Sequence, residues 1–333
     1  MPNTANDTSS LSRHLVAPEL LAPLDIYSGP DVDDAMIAQI RAVPGASAIR
    51  APVIPLPPEL VAIGCEERFI PGPIGAPDVR ILLYTPAGNA DAPRPAVLEI
   101  HGGGYVMGMP EISDRSNRLI VHDHDCIVVA VDYRLAPGTR WPGALEDCYA
   151  ALRWLHEEAD ALGIARTRIA VTGGSAGGGH AAALTLLARD RGEYAICFQN
   201  LHAPMLDDRT GSAREPLPYT GEFIWTAGSN RYGWSALLGV EAGGADVPAA
   251  AVPARATDLS GLPPASIVVG ALDLFVEEDM DYARRLIAAG VPTELHIIPG
   301  AYHGFGLAGE TAPQVELTNR LRRDALTRAF ARA

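Results

Sequence analysis

Short apolar runs alternate along the chain with longer stretches in which apolar residues recur every three to four positions. The runs are rich in β-branched residues, as is typical of strands buried on both faces of a sheet. They predict strands at residues 95–100, 126–132, 168–172, 195–202, 264–270 and 293–298. The stretches of helical spacing predict helices at residues 145–161, 181–189, 277–289 and 314–333. This alternation indicates the α/β class, with a mostly parallel, doubly wound sheet.

Two regions depart from the alternation. Near the start, weak helical patterns at residues 18–24 and 31–43 precede a Pro- and Gly-rich linker at 44–58. Two strand-like runs follow, at 67–71 and 79–84, and the turn-rich sequence between them predicts an antiparallel pair at a sheet edge. In mid-chain, residues 206–244 lose periodicity and gather aromatic residues, which indicates an insertion longer than a tight connection.

Composition narrows the functions that the chain can perform. Its 333 residues carry a formal net charge of −14, which argues against nucleic acid and anionic membrane surfaces as partners. All 26 basic residues are arginines. Without lysine, the chain has no Schiff-base nucleophile and no P-loop lysine.

Cysteines and the first residues of the chain point to a reducing compartment. Cys65, Cys126, Cys148 and Cys197 are widely spaced, in apolar surroundings and without a C-x-x-C pair, so they are predicted to be buried free thiols. The N-terminal sequence is polar, and no apolar run approaches the length that spans a membrane. A cytoplasmic protein without a membrane association is therefore expected.

The run of ligand-type residues at 122–125, His-Asp-His-Asp, raises the question of a metal site. In a strand, alternation would put both histidines on one face. The surroundings are instead typical of a turn between a helix and a strand. A solvated polar turn is the favoured interpretation, and no metal ion is expected.

The glycine-rich sequence around Ser175 is the strongest chemical signal. Residues 173–177 read GGSAG, directly after a predicted strand and before a predicted helix, and fit the G-x-S-x-G nucleophile elbow. A serine at so sharp a turn needs very small neighbours, because strand and helix pass close to each other there. A glycine-rich turn without chemistry, or one that binds phosphate, is the alternative for this motif taken alone.

A serine nucleophile needs a base and a carboxylate that orients the base. His303 lies in a glycine-bounded loop after the last predicted strand, and Asp273 follows the strand before it. The chain order Ser, Asp, His is the order of α/β-hydrolases. Other acids follow Asp273 closely and are better explained as charges in the first turn of a helix: Glu277, Glu278, Asp279 and Asp281.

A second glycine-rich loop, His101-Gly102-Gly103-Gly104, ends the strand at 95–100. Glycines let a backbone approach a substrate closely with its N–H groups free to donate. We therefore predict that Gly103 and Gly104, with the N–H of Ala176, form an oxyanion hole. His101 is expected to brace this loop rather than to transfer protons.

Together these motifs resemble a known family. The sequences HGGG at 101–104, DYRLAP at 132–137, GGSAGG at 173–178 and HGF at 303–305 are similar to those of the hormone-sensitive-lipase-like carboxylesterases, the bacterial family IV. The resemblance covers about residues 65–310. It implies an α/β-hydrolase fold with a helical cap, and Ser175 as nucleophile, Asp273 as acid and His303 as base. It further implies short-chain esters as substrates, no cofactor and a homodimer through the last strand and helix.

The resemblance divides the chain into cap and core. Residues 1–50 are expected to form an N-terminal cap segment, and residues 206–244 the cap insertion. The α/β-hydrolase core is then expected in two parts, residues 51–205 and 245–333.

The sequence departs from the family pattern at several positions. Gly174 stands where Asp or Thr is usual, Leu274 where a Pro usually follows the acid, and Gly138 where a Glu usually ends the tyrosine motif. Glu99 is unusual inside a central strand. Because a buried carboxylate must be paired or protonated, we predict an arginine or polar partner for it beneath the active-site loop.

The substrate pocket is the least specified part of the site. Apolar and aromatic residues close to the motifs are candidates to line it, namely Tyr105, Met107, Met205, Phe223, Trp225 and Phe305. The aromatic residues of the insertion are equally explained as the ordinary core of a cap, since cap and pocket share one surface in this architecture.

We therefore predict a serine carboxylesterase that hydrolyses small, uncharged, short-chain acyl esters of aryl or alkyl alcohols through an acyl-enzyme. The same residues would also serve a deacetylase, a lactonase or an amidase, because leaving-group choice depends on cap geometry. A different class stays open as well, a catalytically silent small-molecule receptor on a hydrolase scaffold.

Overall fold

The computed structural model describes residues 10–27, 29–42, 55–88 and 90–332. Most of the predicted linker, residues 44–54, lies outside the described residues, as do residues 1–9 of the predicted N-terminal cap segment. No helix in the described part of the chain is both long and apolar enough to cross a lipid bilayer.

Within the described residues, eight strands form one sheet. They are β1 (Gly64–Ile70), β2 (Val79–Thr85), β3 (Arg94–Ile100), β4 (Ile127–Asp132), β5 (Ile164–Gly174), β6 (Phe198–His202), β7 (Ala265–Gly270) and β8 (Thr293–Ile298). Their order across the sheet is β1-β2-β4-β3-β5-β6-β7-β8. Strand β2 pairs antiparallel with both β1 and β4, and the other neighbours are parallel. The predicted antiparallel pair at the sheet edge is confirmed.

Ten α-helices accompany the sheet in the part of the chain that the structure describes. They are α1 (Leu24–Tyr27), α2 (Asp34–Ala42), α3 (Pro58–Val61), α4 (Asp114–His124), α5 (Gly143–Glu157), α6 (Ala159–Leu162), α7 (Ala176–Arg191), α8 (Ala227–Leu238), α9 (Val276–Ala288) and α10 (Pro313–Arg332). Helix α7 begins directly after Ser175, five residues before the predicted start. Three of the four residues in its first turn are glycines, whose low helix propensity hides the turn in the sequence.

The helices cover both faces of the sheet. Apolar residues of α5, α7 and α9 share one core cluster with alternate residues of the central strands, including Leu98 and Ile100 of β3. Residues of α4 and α10 pack on the opposite face with Val97 of β3. The strands are therefore buried on both sides, as their continuous apolar runs predicted, and their carboxyl ends converge at one edge.

The connection between β6 and β7 runs from residue 203 to 264 and contains α8. It contacts the N-terminal segment at several points. Val32 N–H donates to Ser229 Oγ at 3.0 Å, and Tyr232 Oη donates to Asp34 Oδ1 at 2.6 Å. Arg41 of α2 donates to the carbonyl oxygens of Ala136, at 2.5 Å, and Val106, at 3.1 Å. These bonds join α2, α8 and the loop beyond β3.

Two expectations about individual residues need correction. All four cysteines are free, but only Cys126 and Cys148 are buried, whereas Cys65 is exposed on the edge strand β1 and Cys197 is half-buried. Residues 122–124 form the last turn of α4, and His124 is not solvated but packs its ring on Phe330 at 5.8 Å. Among the described residues, no group of His, Cys, Asp or Glu is placed to hold a metal ion.

Candidate active site

Ser175 occupies the turn between β5 and α7 in a backbone conformation that non-glycine residues rarely adopt, with φ 55° and ψ −125°. Such strain costs on the order of 1–3 kcal/mol and persists only where the surroundings fix it. Ser175 N–H donates to the carbonyl of His202 at 2.9 Å, and the carbonyl of Ser175 accepts from Met205 N–H at 3.0 Å. These bonds to β6 and the loop after it hold the serine in place.

The glycines beside the serine differ in how much space a side chain would have at their positions. A Cβ at Gly177 would lie 2.0 Å from the carbonyl oxygen of Ile100, so β3 and α7 approach too closely for any side chain there. A Cβ at Gly174 would meet nothing closer than the carbonyl oxygen of His202, at 3.7 Å. The position at which the family usually carries Asp or Thr thus has room for a Cβ.

The three residues singled out from their positions in the chain meet at the carboxyl edge of the sheet. His303 Nε2 lies 3.0 Å from Ser175 Oγ, and His303 Nδ1 lies 2.9 Å from Asp273 Oδ2. Asp273 is 1% exposed and His303 is 8% exposed. This chain of hydrogen bonds is the arrangement that base-assisted attack by a hydroxyl group needs.

Asp273 lies on the loop between β7 and α9. The N–H of Phe275 donates to its Oδ1 at 3.0 Å, and the ring of Phe275 packs edge-on against His303 at 5.0 Å. The carboxylate is therefore aimed at His303 although Leu274 replaces the usual proline. This bond from Phe275 has no sequence signal, because it depends on a backbone group.

The acids that follow Asp273 lie at the start of α9, as predicted, with Glu277, Glu278 and Asp279 in its first turn. The structure adds that Glu278 and Asp279 are buried. Glu278 accepts from the N–H groups of Leu206, at 2.6 Å, and Asp207, at 3.2 Å, and it fixes the start of the β6–β7 connection. Burial raises its pKa, and the nearby Asp207 charge adds to this shift.

The glycine-rich loop after β3 lies against the elbow. A Cβ at Gly102 would come within 3.5 Å of Ser175 Cβ. Gly103 and Gly104 have φ values of 125° and 59°, and a Cβ at Gly104 would lie 2.0 Å from the Trp225 ring. Ala176 is the first residue of α7, so its N–H belongs to the free donors of a helix N-terminus. The loop and the helix end thus flank the serine, as an oxyanion hole requires.

Among the described residues, His101 makes no hydrogen bond to Ser175 or Asp273. Its Nδ1 lies 2.9 Å from the carbonyl oxygen of Gly102, and its ring stacks on Tyr133 at 4.2 Å. Burial lowers its pKa to about 4, so the ring is neutral at pH 7. The bracing role predicted for His101 agrees with these contacts.

Two departures from the family pattern have structural counterparts. Ser113 Oγ donates to Glu99 Oε1 at 2.8 Å, so the predicted polar partner of Glu99 is confirmed. Burial raises the pKa of Glu99 to about 7, which Ser113 partly offsets. In the tyrosine motif that Gly138 follows, Arg134 binds Asp147 at 2.7 Å.

The candidate pocket residues surround the site at different depths. Tyr105 and Met205 lie behind the elbow, where Tyr105 Oη donates to the Met205 carbonyl at 3.0 Å. Phe223 and Phe305 belong to a core cluster around Tyr302. Trp225 lies closest to the chemistry: it packs on Gly104, its ring centre is 6.5 Å from that of His303, and Asn230 accepts from its Nε1 at 3.2 Å.

Met107 completes this set of residues. It is buried with Tyr105 and Trp225 in one apolar cluster. Its carbonyl oxygen would lie 2.1 Å from a Cβ at Gly103, and its N–H donates to the carbonyl of Gly103 at 3.0 Å. Met107 therefore closes the turn that positions the glycine loop.

Comparison with known proteins agrees with this geometry. A family described as the alpha/beta hydrolase fold matches residues 97–307. The chain is 37% identical over 311 residues to the esterase LipI of Mycobacterium tuberculosis (strain ATCC 25618 / H37Rv), covering 87% of this chain and 93% of that protein. It is 34% identical over 249 residues to an ethyl acetate hydrolase of Pseudomonas putida, covering 71% and 74%.

The fold has a close counterpart among solved structures. A bacterial heroin esterase superimposes with a TM-score of 0.85 at 37% identity, covering 95% of this chain and 98% of that one. The residues that match the family, 97–307, contain the elbow, the glycine-rich loop after β3, Asp273 and His303. The chain therefore belongs to the hormone-sensitive-lipase-like carboxylesterases of the α/β-hydrolase fold, enzymes that hydrolyse carboxylic esters.

Proposed function

We propose that Ser175 is the nucleophile, His303 the general base and Asp273 the orienting acid of this carboxylesterase. His303 Nε2 accepts the Ser175 proton while Ser175 Oγ bonds to the ester carbonyl carbon. Asp273 holds the Nδ1–H tautomer and stabilises the imidazolium that forms. The observation that supports this assignment is the continuous hydrogen-bond chain through the three side chains, 3.0 Å and 2.9 Å long.

The negative charge on the tetrahedral carbonyl oxygen needs donors that are already in place. We assign the N–H groups of Gly103, Gly104 and Ala176 to this role, since the glycine loop and the start of α7 flank Ser175. One such donor contributes about 3 kcal/mol to lowering the barrier. Collapse of the intermediate breaks the ester C–O bond, and the imidazolium of His303 gives its proton to the leaving alcohol.

The second half of the reaction repeats these steps with water. His303 takes a proton from the water that attacks the acyl-enzyme, and the second tetrahedral intermediate expels Ser175 Oγ, which regains a proton from His303. The products are a carboxylic acid and an alcohol, and the triad returns to its starting protonation.

The surroundings of Ser175 favour small, neutral acyl groups. Trp225 packs on Gly104 beside the proposed oxyanion hole, and Phe223 and Phe305 are nearly fully buried. An apolar, closely packed wall excludes charged substrates, because an unpaired charge is costly to bury. We therefore propose short-chain esters of aryl or alkyl alcohols as substrates.

We propose that residues 1–50 and 206–244 form the cap over this site. Its support is the set of bonds between α2, α8 and the loop after β3, in which Asp34 and Val32 bind α8 and Arg41 binds the carbonyls of Val106 and Ala136.

A homodimer through β8 and α10 is a further proposal. Strand β8 is an edge strand, and Ile297 on it and Ile287 on α9 are exposed. An open edge beside apolar side chains favours association with a second copy. Light scattering after size-exclusion chromatography at several concentrations distinguishes dimer from monomer.

We also propose a cytoplasmic location. Its support is the absence of disulfides among the four cysteines, all of which are free. Fractionation of expressing cells tests it, and recovery in a secreted fraction would contradict it.

Hydrolysis of a p-nitrophenyl ester series from C2 to C12 tests the reaction and its selectivity together. We expect the largest kcat/KM at C2 to C6 and loss of activity in Ser175→Ala by on the order of 10⁶-fold in kcat. A fluorophosphonate probe should label wild-type protein and leave Ser175→Ala unlabelled. An optimum at C10 or longer would overturn the short-acyl assignment, and equal labelling of both proteins would overturn the role of Ser175.

A further inference from the structure

A cavity of about 260 Å³ lies between α4 and α10, on the face of the sheet away from α5, α7 and α9. Its apolar wall consists of Leu119 and Ile120 from α4 and Leu326 from α10. Asn200 of β6 and Arg322 of α10 also line it. None of the residues assigned to the ester reaction lines this cavity.

Several polar atoms in and behind the cavity are buried without a partner among the described residues. Asn200 is 1% exposed, and its Nδ2 donates to the Arg322 carbonyl at 3.2 Å, but its Oδ1 has no partner. Arg322 Nε and His124 Nε2 are unpartnered too. A buried polar group without a hydrogen-bond partner is unfavourable, so the cavity favours an occupant that can hydrogen-bond.

Arg322 has no carboxylate partner. Among the described residues, no hydrogen bond or ion pair involves its guanidinium group, although 20 ion pairs join other arginines to carboxylates. Glu99 is close enough to interact electrostatically, but its bonded oxygen accepts from Ser113 and its Oε2 is unpartnered. A partly buried, unpaired guanidinium group is a strong attractor for an anion.

The acids around the opening of the cavity are mostly engaged elsewhere. Glu310 is bound by Arg115 at 2.6 Å, and Asp123 lies 3.7 Å from Arg323. Glu316 is exposed one helical turn before Arg320, which also lines the cavity. Of the arginines that line the cavity, Arg320 and Arg322 have no ion pair among the described residues, and Arg322 is the one that is partly buried.

We propose that this cavity is a second ligand site that binds a small monocarboxylate, with the carboxylate on Arg322 and the aliphatic tail against Leu119, Ile120 and Leu326. The guanidinium group matches a carboxylate in shape and charge, and the wall beside it is apolar. The volume suits a short aliphatic acid better than a drug-sized molecule, because typical ligand pockets begin at about 300 Å³.

Binding of ¹³C-labelled butyrate, followed by NMR titration, tests this site without using turnover. We expect a Kd on the order of 1 mM, as is reasonable for a ligand of six heavy atoms. Butyramide, which has the same shape without the charge, should bind at least tenfold more weakly. The Arg322→Met variant should weaken butyrate binding at least tenfold, and Arg320→Met, which removes an exposed charge from the same helix, less than twofold.

The Glu99→Gln variant tests the site through an increase in butyrate affinity rather than a loss. Because it removes the competing carboxylate behind Arg322, butyrate should bind severalfold more tightly, a result that a destabilised fold would not give. Equal affinity for butyrate in wild type and Arg322→Met would place the anion elsewhere and overturn the proposal. If the butyrate signal does not change in a titration up to 50 mM, roughly fifty times the expected Kd, the proposal is overturned as well, because water is then the only occupant.

Discussion

Ser175 shows how a single residue combines strain and chemistry. Its φ of 55° is held by bonds to β6 and the loop after it, and its hydroxyl reaches His303 at 3.0 Å. Sequence predicts this residue from its glycine-rich motif, and His303 and Asp273 from their positions in loops that follow predicted strands. The position of Glu278 in the first turn of α9 is predicted as well, but its bonds to Leu206 and Asp207 are not, because those residues lie some seventy positions away in the chain.

Glu99 gives a prediction at the residue scale. Its pKa is raised from 4.5 to about 7, so the folded protein holds its proton more tightly than the unfolded chain does. The stability that this proton contributes is fully present below pH 4.5 and is lost as the pH rises through 7. When the pH is raised from 5 to 8, the free energy of unfolding of wild type should fall by about 2–3 kcal/mol relative to that of Glu99→Gln, an upper estimate for a buried group.

Urea denaturation at both pH values measures this difference. Glutamine keeps the shape of the side chain and an oxygen that accepts from Ser113. Glu241→Gln, at an exposed position, is the control and should change stability equally at both pH values. A stability difference between wild type and Glu99→Gln that does not vary with pH would contradict a buried, titrating Glu99.

At the scale of elements, the site depends on how closely β3, β5 and α7 approach one another. The predicted start of α7 at residue 181 was five residues late, because three glycines form its first turn and carry no apolar pattern. Those glycines are needed because the helix touches the ends of two strands. The distances between the helix and the strands, which require the glycines, cannot be read from a single sequence.

Two glycines of the elbow provide a matched test of this contact. A methyl group at Gly177 would lie 2.0 Å from the Ile100 carbonyl oxygen, whereas one at Gly174 has 3.7 Å of room. Gly177→Ala should therefore lower the free energy of unfolding by at least about 2 kcal/mol and reduce esterase activity strongly. Gly174→Ala should stay within about 0.5 kcal/mol of wild type and keep its activity.

Thermal or urea unfolding, with p-nitrophenyl butyrate hydrolysis on the same samples, gives both readouts. Equal behaviour of the two variants would show that the close approach of β3 and α7 does not limit this elbow.

For the whole molecule, sequence predicts the α/β fold class, the alternation of strands and helices along the chain and the antiparallel edge pair β1–β2. It did not predict how the N-terminal segment meets the insertion, because a bond such as Val32 to Ser229 joins residues almost two hundred positions apart. Arg41 had no signal in the sequence either. Its partners are backbone carbonyls, which every residue carries.

Arg41 supports a prediction about the proposed cap. It is the side chain that joins α2 to the loops at Val106 and Ala136, next to the glycine-rich loop. Arg41→Met should loosen this contact and lower kcat/KM for p-nitrophenyl butyrate severalfold, because substrate would be positioned less well. Arg284→Met, which removes only an exposed bridge to Asp281, is the control and should leave kcat/KM unchanged. Equal kinetics in the two variants would contradict a role of α2 in the site.

The acyl-enzyme tests the central claim most directly. Wild-type protein is mixed with p-nitrophenyl butyrate, quenched with acid within milliseconds and digested, and the peptides are analysed by mass spectrometry. A butyryl group on Ser175, formed at the rate of the p-nitrophenol burst and absent from His303→Ala, is the expected result. A burst whose acyl group is found on another residue, or hydrolysis that His303→Ala leaves intact, would contradict the account.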